Sequence, residues 1–270
     1  MAFDGFFPAL SAVIPALFLA GGVYIYVALI RQINVRVAEP SAEAVREFGW
    51  PEATLATLLV LLFLGGLVAS ASHEARTIQT HDLVANALFS IGLFLFLAAF
   101  LRLRRFDLNA LGGFSKIGFG RALVTGGILL LAAYPVIILA EVVTQRLWRG
   151  TLEKQSIIEL FNASNTLEQR VLIIILAVAI APIAEEFFFR FFLYGVLKRY
   201  FGRSVGVVVS ALLFAAVHAH LPSFAPLFVL GICFTIAYEW SGSLLVSMTM
   251  HAVFNALALT ALAFPEAIPQ

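Results

Sequence analysis

Eight stretches of the chain are almost wholly apolar, and polar connections separate them: about 8–30, 53–71, 84–102, 121–142, 171–193, 204–221, 224–239 and 243–264. A helix needs roughly 20 mostly apolar residues to cross a bilayer, and these stretches meet or nearly meet that length. The pattern predicts an all-α, polytopic membrane protein of about eight transmembrane helices. The last spans crowd together. Between the sixth and seventh lies a short connection, His220 to Pro226, whose two prolines cannot continue a helix ladder, so a tight turn is expected. Two connections are long enough for structure of their own. Pro40 to Ala53 reads as a short interfacial helix with Trp50 at the water boundary. Gln145 to Arg170 carries Ile157, Ile158, Leu160 and Phe161 beside Glu153, Lys154 and Glu159, an amphipathic pattern suited to the membrane surface. The expected organisation is residues 1–145 as about four N-terminal spans, 146–170 as a surface segment, and 171–265 as a C-terminal core of about four spans.

Composition agrees with the pattern. The chain is 61% hydrophobic and 12% charged, with a mean hydropathy of +0.98. Soluble domains sit near 45–50% apolar and about 25% charged. A formal net charge of +1 suggests no nucleic-acid partner; the lipid bilayer is the expected surrounding. The single cysteine, Cys233, excludes an intrachain disulfide. The N-terminus, with Asp4 and no basic residue before its apolar segment, does not read as a cleavable signal.

Basic residues bias the topology. With eight spans, the first, third, fifth and seventh connections share one side and hold 11 lysines and arginines, against 5 on the other. The positive-inside rule makes the first set cytoplasmic and puts both termini on the far side. The cluster Arg102, Arg104 and Arg105 is a topology anchor on anionic lipid.

Ionisable residues inside spans cost about 2.5–3.5 kcal/mol each on insertion scales and mark functional interiors. Here they concentrate in the last third: Glu185, Glu186 and Arg190 in the fifth span, His218 in the sixth, His251 with Asn255 in the eighth. Glu186 and Arg190 are four apart and can pair on one helical face. Glu185 is turned by about 100° from that face and points elsewhere. At about 1.5 Å rise per residue, Glu186, His218 and His251 lie roughly 18, 22 and 14 Å from the cytoplasmic ends of their spans, at a similar depth. Pro182, one turn before Glu185, leaves the carbonyl of Val178 without its usual donor and is expected to widen a cavity there. A carboxylate and a histidine can share a water, remove its proton and aim it at a carbonyl carbon. A second imidazole and an amide can donate to the oxyanion. No nucleophile stands beside a base, which favours activated water over a covalent intermediate.

Glu185-Glu186-x-x-x-Arg190, Phe214-x-x-x-His218 and His251-x-x-x-Asn255 together resemble the three motifs of the CPBP intramembrane proteases, a family that includes the type II CAAX prenyl endopeptidases and bacterial relatives linked to bacteriocin immunity. The resemblance covers about residues 165–260. It implies an intramembrane endopeptidase acting on a membrane-embedded or membrane-anchored polypeptide, including lipid-modified CAAX-type substrates. It implies Glu185 as general base, His218 as holder of the water, His251 and Asn255 as oxyanion donors, and Glu186 paired with Arg190 to fix its helix. No cofactor is expected; zinc held by His218, His251 and Glu185 is the alternative, and no HExxH is present. A multi-pass protein of a bacterial or archaeal cell membrane, approached from the cytoplasmic side, is the expected setting. Two other functions compete: a proton- or ion-coupled transporter using the same acids and histidines as a relay, and a non-catalytic immunity or scaffold protein on the same fold. Plainer roles stand beside the sharper ones. Glu186 with Arg190 would serve as a structural ion pair, Phe214 as packing that shapes the site, and His220 as a loop residue at the membrane edge. His73 and His81 lie in a loop and carry no signal.

Overall fold

The computed structural model describes residues 6–37, 47–71, 80–147, 161, 164 and 166–264. Long apolar runs become helices because a helix satisfies its own backbone groups where no water can. They are α1 (Phe6–Val37), α2 (Trp50–Ala71), α3 (Thr80–Leu103), a single turn α4 (Leu108–Gly112) and α5 (Phe119–Leu147). A continuous helical run follows: α6 (Leu167–Ile175), a π-helical segment π1 (Leu176–Ile180), α7 (Ala181–Glu186), a second π-helical segment π2 (Phe187–Leu193) and α8 (Tyr194–Val217). A 3-10 turn (Leu221–Ser223) leads to α9 (Phe224–Ser241) and α10 (Leu244–Ala263). No strand occurs among the described residues.

Seven of these runs are long and apolar enough to cross a membrane. One of them, Leu167–Val217, has 51 residues. A straight helix of that length would span roughly 75 Å, far more than a hydrocarbon core of about 30 Å. The run turns back at Gly202, whose φ of 80° and ψ of 167° belong to a region that only glycine occupies comfortably. Across the turn, the Ser210 hydroxyl donates to the Phe189 carbonyl at 2.9 Å, and the Phe189 and Phe214 rings meet edge to face at 5.4 Å. The run therefore makes two passes, and the eight expected crossings are present. Gly202→Ala is expected to destabilise by about 1–3 kcal/mol, read as a lower thermal unfolding midpoint in detergent.

Several boundaries differ from the sequence reading: α1 runs on to Val37 rather than 30, α3 starts at Thr80 rather than 84, and α5 runs on to Leu147 rather than 142. The fifth span continues past Leu193 as far as the Gly202 turn. The sixth stops at Val217 rather than 221, because His218 caps the helix and Ala219 takes a left-handed conformation with φ 52°. Trp50 opens α2 instead of sitting in a separate interfacial helix, and its ring lies 5.4 Å from that of Tyr200. Residues 47–49, expected in that interfacial helix, are irregular, while residues 40–46, most of the amphipathic piece before Arg170 and His73 lie outside the described residues.

Four connections gather at one face. Glu52, buried at the start of α2, accepts from Arg104 Nε at 2.8 Å and from the Gly49 amide at 2.7 Å. Arg199 pairs with Glu47 at 2.9 Å, Lys198 pairs with Glu239, and Arg36 donates to the Trp240 carbonyl at 2.7 Å. Gly113, at φ 62°, passes so close to Gly242 that an added Cβ would stand 1.8 Å from its carbonyl oxygen. These contacts tie together the first, third, fifth and seventh connections, the basic set. The turn that follows His218 lies at the opposite end of α8 from Arg203, on the other face.

Within the bundle, α5 packs against α1, α9 and α10. Polar staples mark the seams: the Tyr26 hydroxyl donates to the Leu129 carbonyl at 2.9 Å, and Thr249 Oγ1 to the Ala122 carbonyl at 2.9 Å. The phenylalanines of π2 fill the centre. Phe187 meets Phe94 of α3 at 4.8 Å, Phe188 meets Phe63 of α2 at 5.1 Å, and Phe191 and Phe192 meet Phe48 at 6.3 and 6.0 Å. This aromatic packing seats the run that carries the two glutamates and Arg190.

Candidate active site

Each sequence-predicted site residue lies on a helix or at a helix end, and five of the six converge. Glu185 and Glu186 end α7, Arg190 lies in π2, His218 caps α8, and His251 and Asn255 lie on α10. The turn of about 100° between successive residues separates the two acids. The Glu186 side chain is 0% exposed, whereas that of Glu185 is 30% exposed.

Glu186 is the inner anchor. Its Oε1 lies 2.9 Å from Arg190 Nη1 and 3.0 Å from His251 Nδ1. The Arg190 contact is an ion pair off the line of the N–H. Arg190 is fully buried, and the Phe214 and Phe234 rings face its guanidinium at 4.0 and 5.0 Å from their centroids. Such cation–π contacts gain strength when water is excluded. Phe214 also contacts His218 at 4.8 Å and His251 at 5.8 Å, and Phe234 stacks on His251 at 4.9 Å. Phe214 thus packs and shapes the site, as expected. Phe234 has the same role, and no spacing in the sequence singled it out.

Glu185 is the outer acid. Its Oε2 stands 3.8 Å from His218 Nε2 and 4.0 Å from His251 Nε2. It has no hydrogen-bond partner among the described residues. These separations are beyond a direct hydrogen bond and within reach of a bridging water. The partners of the other ring nitrogens fix where the protons sit. His218 Nδ1 is 2.7 Å from the Phe214 carbonyl, which can only accept, so Nδ1 carries hydrogen. His251 Nδ1 faces Glu186 Oε1, which also lies beside Arg190, and carries hydrogen too. When neutral, both imidazoles present the lone pair of Nε2 to Glu185.

Asn255 is where the structure departs from expectation. Its Nδ2 donates to the Ala177 carbonyl at 2.8 Å, in π1. Counted on from the Ala181 amide, which donates to the Leu176 carbonyl five residues back, the carbonyl that faces Pro182 is that of Ala177 rather than Val178. His220 Nδ1 is 2.7 Å from Ser223 Oγ in the turn, outside the cluster. His81, expected in a loop, lies instead in the first turn of α3 beside Asp82.

Among the described residues no group of three His, Cys, Asp or Glu side chains is placed to hold a metal ion.

Two glutamates, an arginine and two imidazoles on three packed helices form a centre that can hold and activate water. Residues 167–257 match the model of the type II CAAX prenyl endopeptidase Rce1-like family. This part of the chain is similar to that family. The matched stretch starts with α6 and ends within α10, so it contains Glu185, Glu186, Arg190, His218, His251 and Asn255. The Rce1-like match supports a CAAX-type intramembrane protease activity, and the seven apolar runs make the chain an integral, multi-pass membrane protein. No curated protein and no solved structure matches the chain.

Proposed function

We propose that the protein is an intramembrane endopeptidase that hydrolyses a peptide bond of a membrane-associated polypeptide with water activated by Glu185. The observation that carries this reading is the approach of Glu185 Oε2 to both Nε2 atoms, at 3.8 and 4.0 Å. Water between them gives one proton to Glu185 while His218 Nε2 accepts its second hydrogen, which aims an oxygen lone pair at the scissile carbonyl. As the carbon–oxygen bond forms, the carbonyl oxygen becomes an oxyanion. His251 meets it with Nε2–H. Its Nδ1–H is already given to Glu186, so in this role the ring is an imidazolium, and Glu186 stabilises that charge. Glu185 then returns its proton to the amide nitrogen, the carbon–nitrogen bond breaks, and a carboxyl and an amine leave. With His251 and Arg190 positive and both glutamates negative, the four charges sum to zero, which suits a site with little water. No step is assigned to a metal ion.

We infer the side of entry from the fold together with the charge bias. Arg203 and His218 lie at opposite ends of one pass of α8. His218 at the far end of that pass favours entry from the face opposite the basic loops, in place of the cytoplasmic approach expected from sequence. We retain cytoplasmic basic loops, so the substrate enters from the opposite face, beside the Leu221–Ser223 turn. Leu221 is 61% exposed and Cys233 is buried. A Leu221→Cys chain is expected to label with a membrane-impermeant maleimide from outside intact cells. Labelling only after cell opening would reverse the orientation.

The test of function is cleavage of membrane-anchored polypeptides, with and without a prenyl group, by the protein in reconstituted vesicles. Wild type is expected to cleave and His218→Ala to lose about 10²–10⁴-fold. Equal cleavage by both, or proton flux without cleavage, would overturn the proposal.

A further inference from the structure

The helix that carries Glu185 contains a built-in defect and, on a neighbouring helix, its repair. In π1 the Ala181 amide donates to the Leu176 carbonyl, five residues back. The next carbonyl in that register, that of Ala177, would take its hydrogen from residue 182. Residue 182 is proline, which has no N–H. Ala177 is buried, and a buried carbonyl without a donor is unfavourable. Asn255 supplies the missing hydrogen, with Nδ2 at 2.8 Å from the oxygen.

The repair comes from the helix that completes the site. His251 and Asn255 are one turn apart on α10. One reaches Glu186 and the other reaches Ala177, so two side chains from a single helix face hold the run on either side of Glu185. The family resemblance would make Asn255 an oxyanion donor; here its amide is bonded to backbone two turns from the acid.

Resting on the protease reading above, we infer that Asn255 is a positioning residue: its amide stands in for the backbone donor that Pro182 lacks and fixes the register in which Glu185 faces the two imidazoles. It follows that Asn255 is needed because residue 182 is proline. With alanine at 182 the backbone itself can bond Ala177, and the amide becomes dispensable.

The experiment compares four full-length chains: wild type, Pro182→Ala, Asn255→Ala and the double variant. Cleavage in vesicles and thermal unfolding in detergent are both read. Asn255→Ala alone is expected to slow cleavage by about tenfold or more and to lower the unfolding midpoint. In the Pro182→Ala background the same change is expected to alter cleavage by less than about threefold and to leave the midpoint in place. An equal loss in both backgrounds overturns the inference, since an oxyanion donor would be needed whatever occupies position 182. If wild type cleaves nothing, the protease reading fails, and the four midpoints still decide the pairing of Asn255 with Pro182. If Asn255→Ala does not accumulate folded, recovery of folded protein in the double variant supports the inference and equal failure overturns it.

Discussion

Glu185→Gln is expected to reduce cleavage by about 10²–10⁴-fold and to leave the thermal unfolding midpoint close to that of wild type. The two readouts separate because of where the side chain stands. Its Oε2 has no hydrogen-bond donor among the described residues, so replacing it breaks no bond that holds helices together. Glutamine has nearly the same shape and keeps the separation from His218 and His251. What it loses is the capacity to take a proton from water and return it to the leaving nitrogen. The measurement is kcat and unfolding midpoint on the same preparation in vesicles and detergent. Cleavage within about tenfold of wild type would remove Glu185 as the base.

Arg190→Ala is expected to produce the opposite separation: a loss of roughly 3–5 kcal/mol of stability, with activity lost as a consequence. Arg190 and Glu186 are both 0% exposed, and the guanidinium lies between aromatic rings of α8 and α9. Removing it leaves a buried carboxylate with one fewer counter-charge and a void between Phe214 and Phe234. Arg190→Lys does not restore the wild-type midpoint, because an ammonium lacks the flat face that stacks on those rings. The informative control is Glu186→Gln with Arg190→Met, which removes both charges and keeps most of the volume. That pair is expected to recover stability relative to Arg190→Ala and to remain inactive, because His251 then lacks the carboxylate that supports its charge. Unfolding midpoints across these variants, with cleavage measured beside them, test the assignment. A stable and active Arg190→Ala chain would contradict it.

Much of this architecture was legible because the bilayer imposes a simple rule. A span must be long and apolar, so eight runs could be located by length alone, and a carboxylate inside one stands out. Helix geometry then separated Glu185 from Glu186 correctly, since the 100° step acts locally. What sequence did not show depends on departures from that geometry. Pro182 pointed to an orphan carbonyl at Val178 on α-helical counting, and π1 moved it to Ala177. The amide of Asn255 was available for an oxyanion on spacing grounds, but its partner lies 78 residues away and depends on that register. The end of α8 at His218 rests on a left-handed Ala219, which no composition rule foretells. Phe234 stacks on His251 through tertiary packing and resembles every other phenylalanine in the sequence.

The reversal at Gly202 also bears on assembly. Glu185 and His218 ride on the two arms of one helical hairpin, and Phe189, Ser210 and Phe214 bind the arms to each other. Those contacts are close in sequence, so the acid and the first imidazole can find their spacing as soon as both arms are inserted. His251 reaches them only with the final helix. On the proposed mechanism, the nascent chain therefore holds the acid and the first histidine without the group that would meet an oxyanion, and it would become competent to cut only when its last pass is in place.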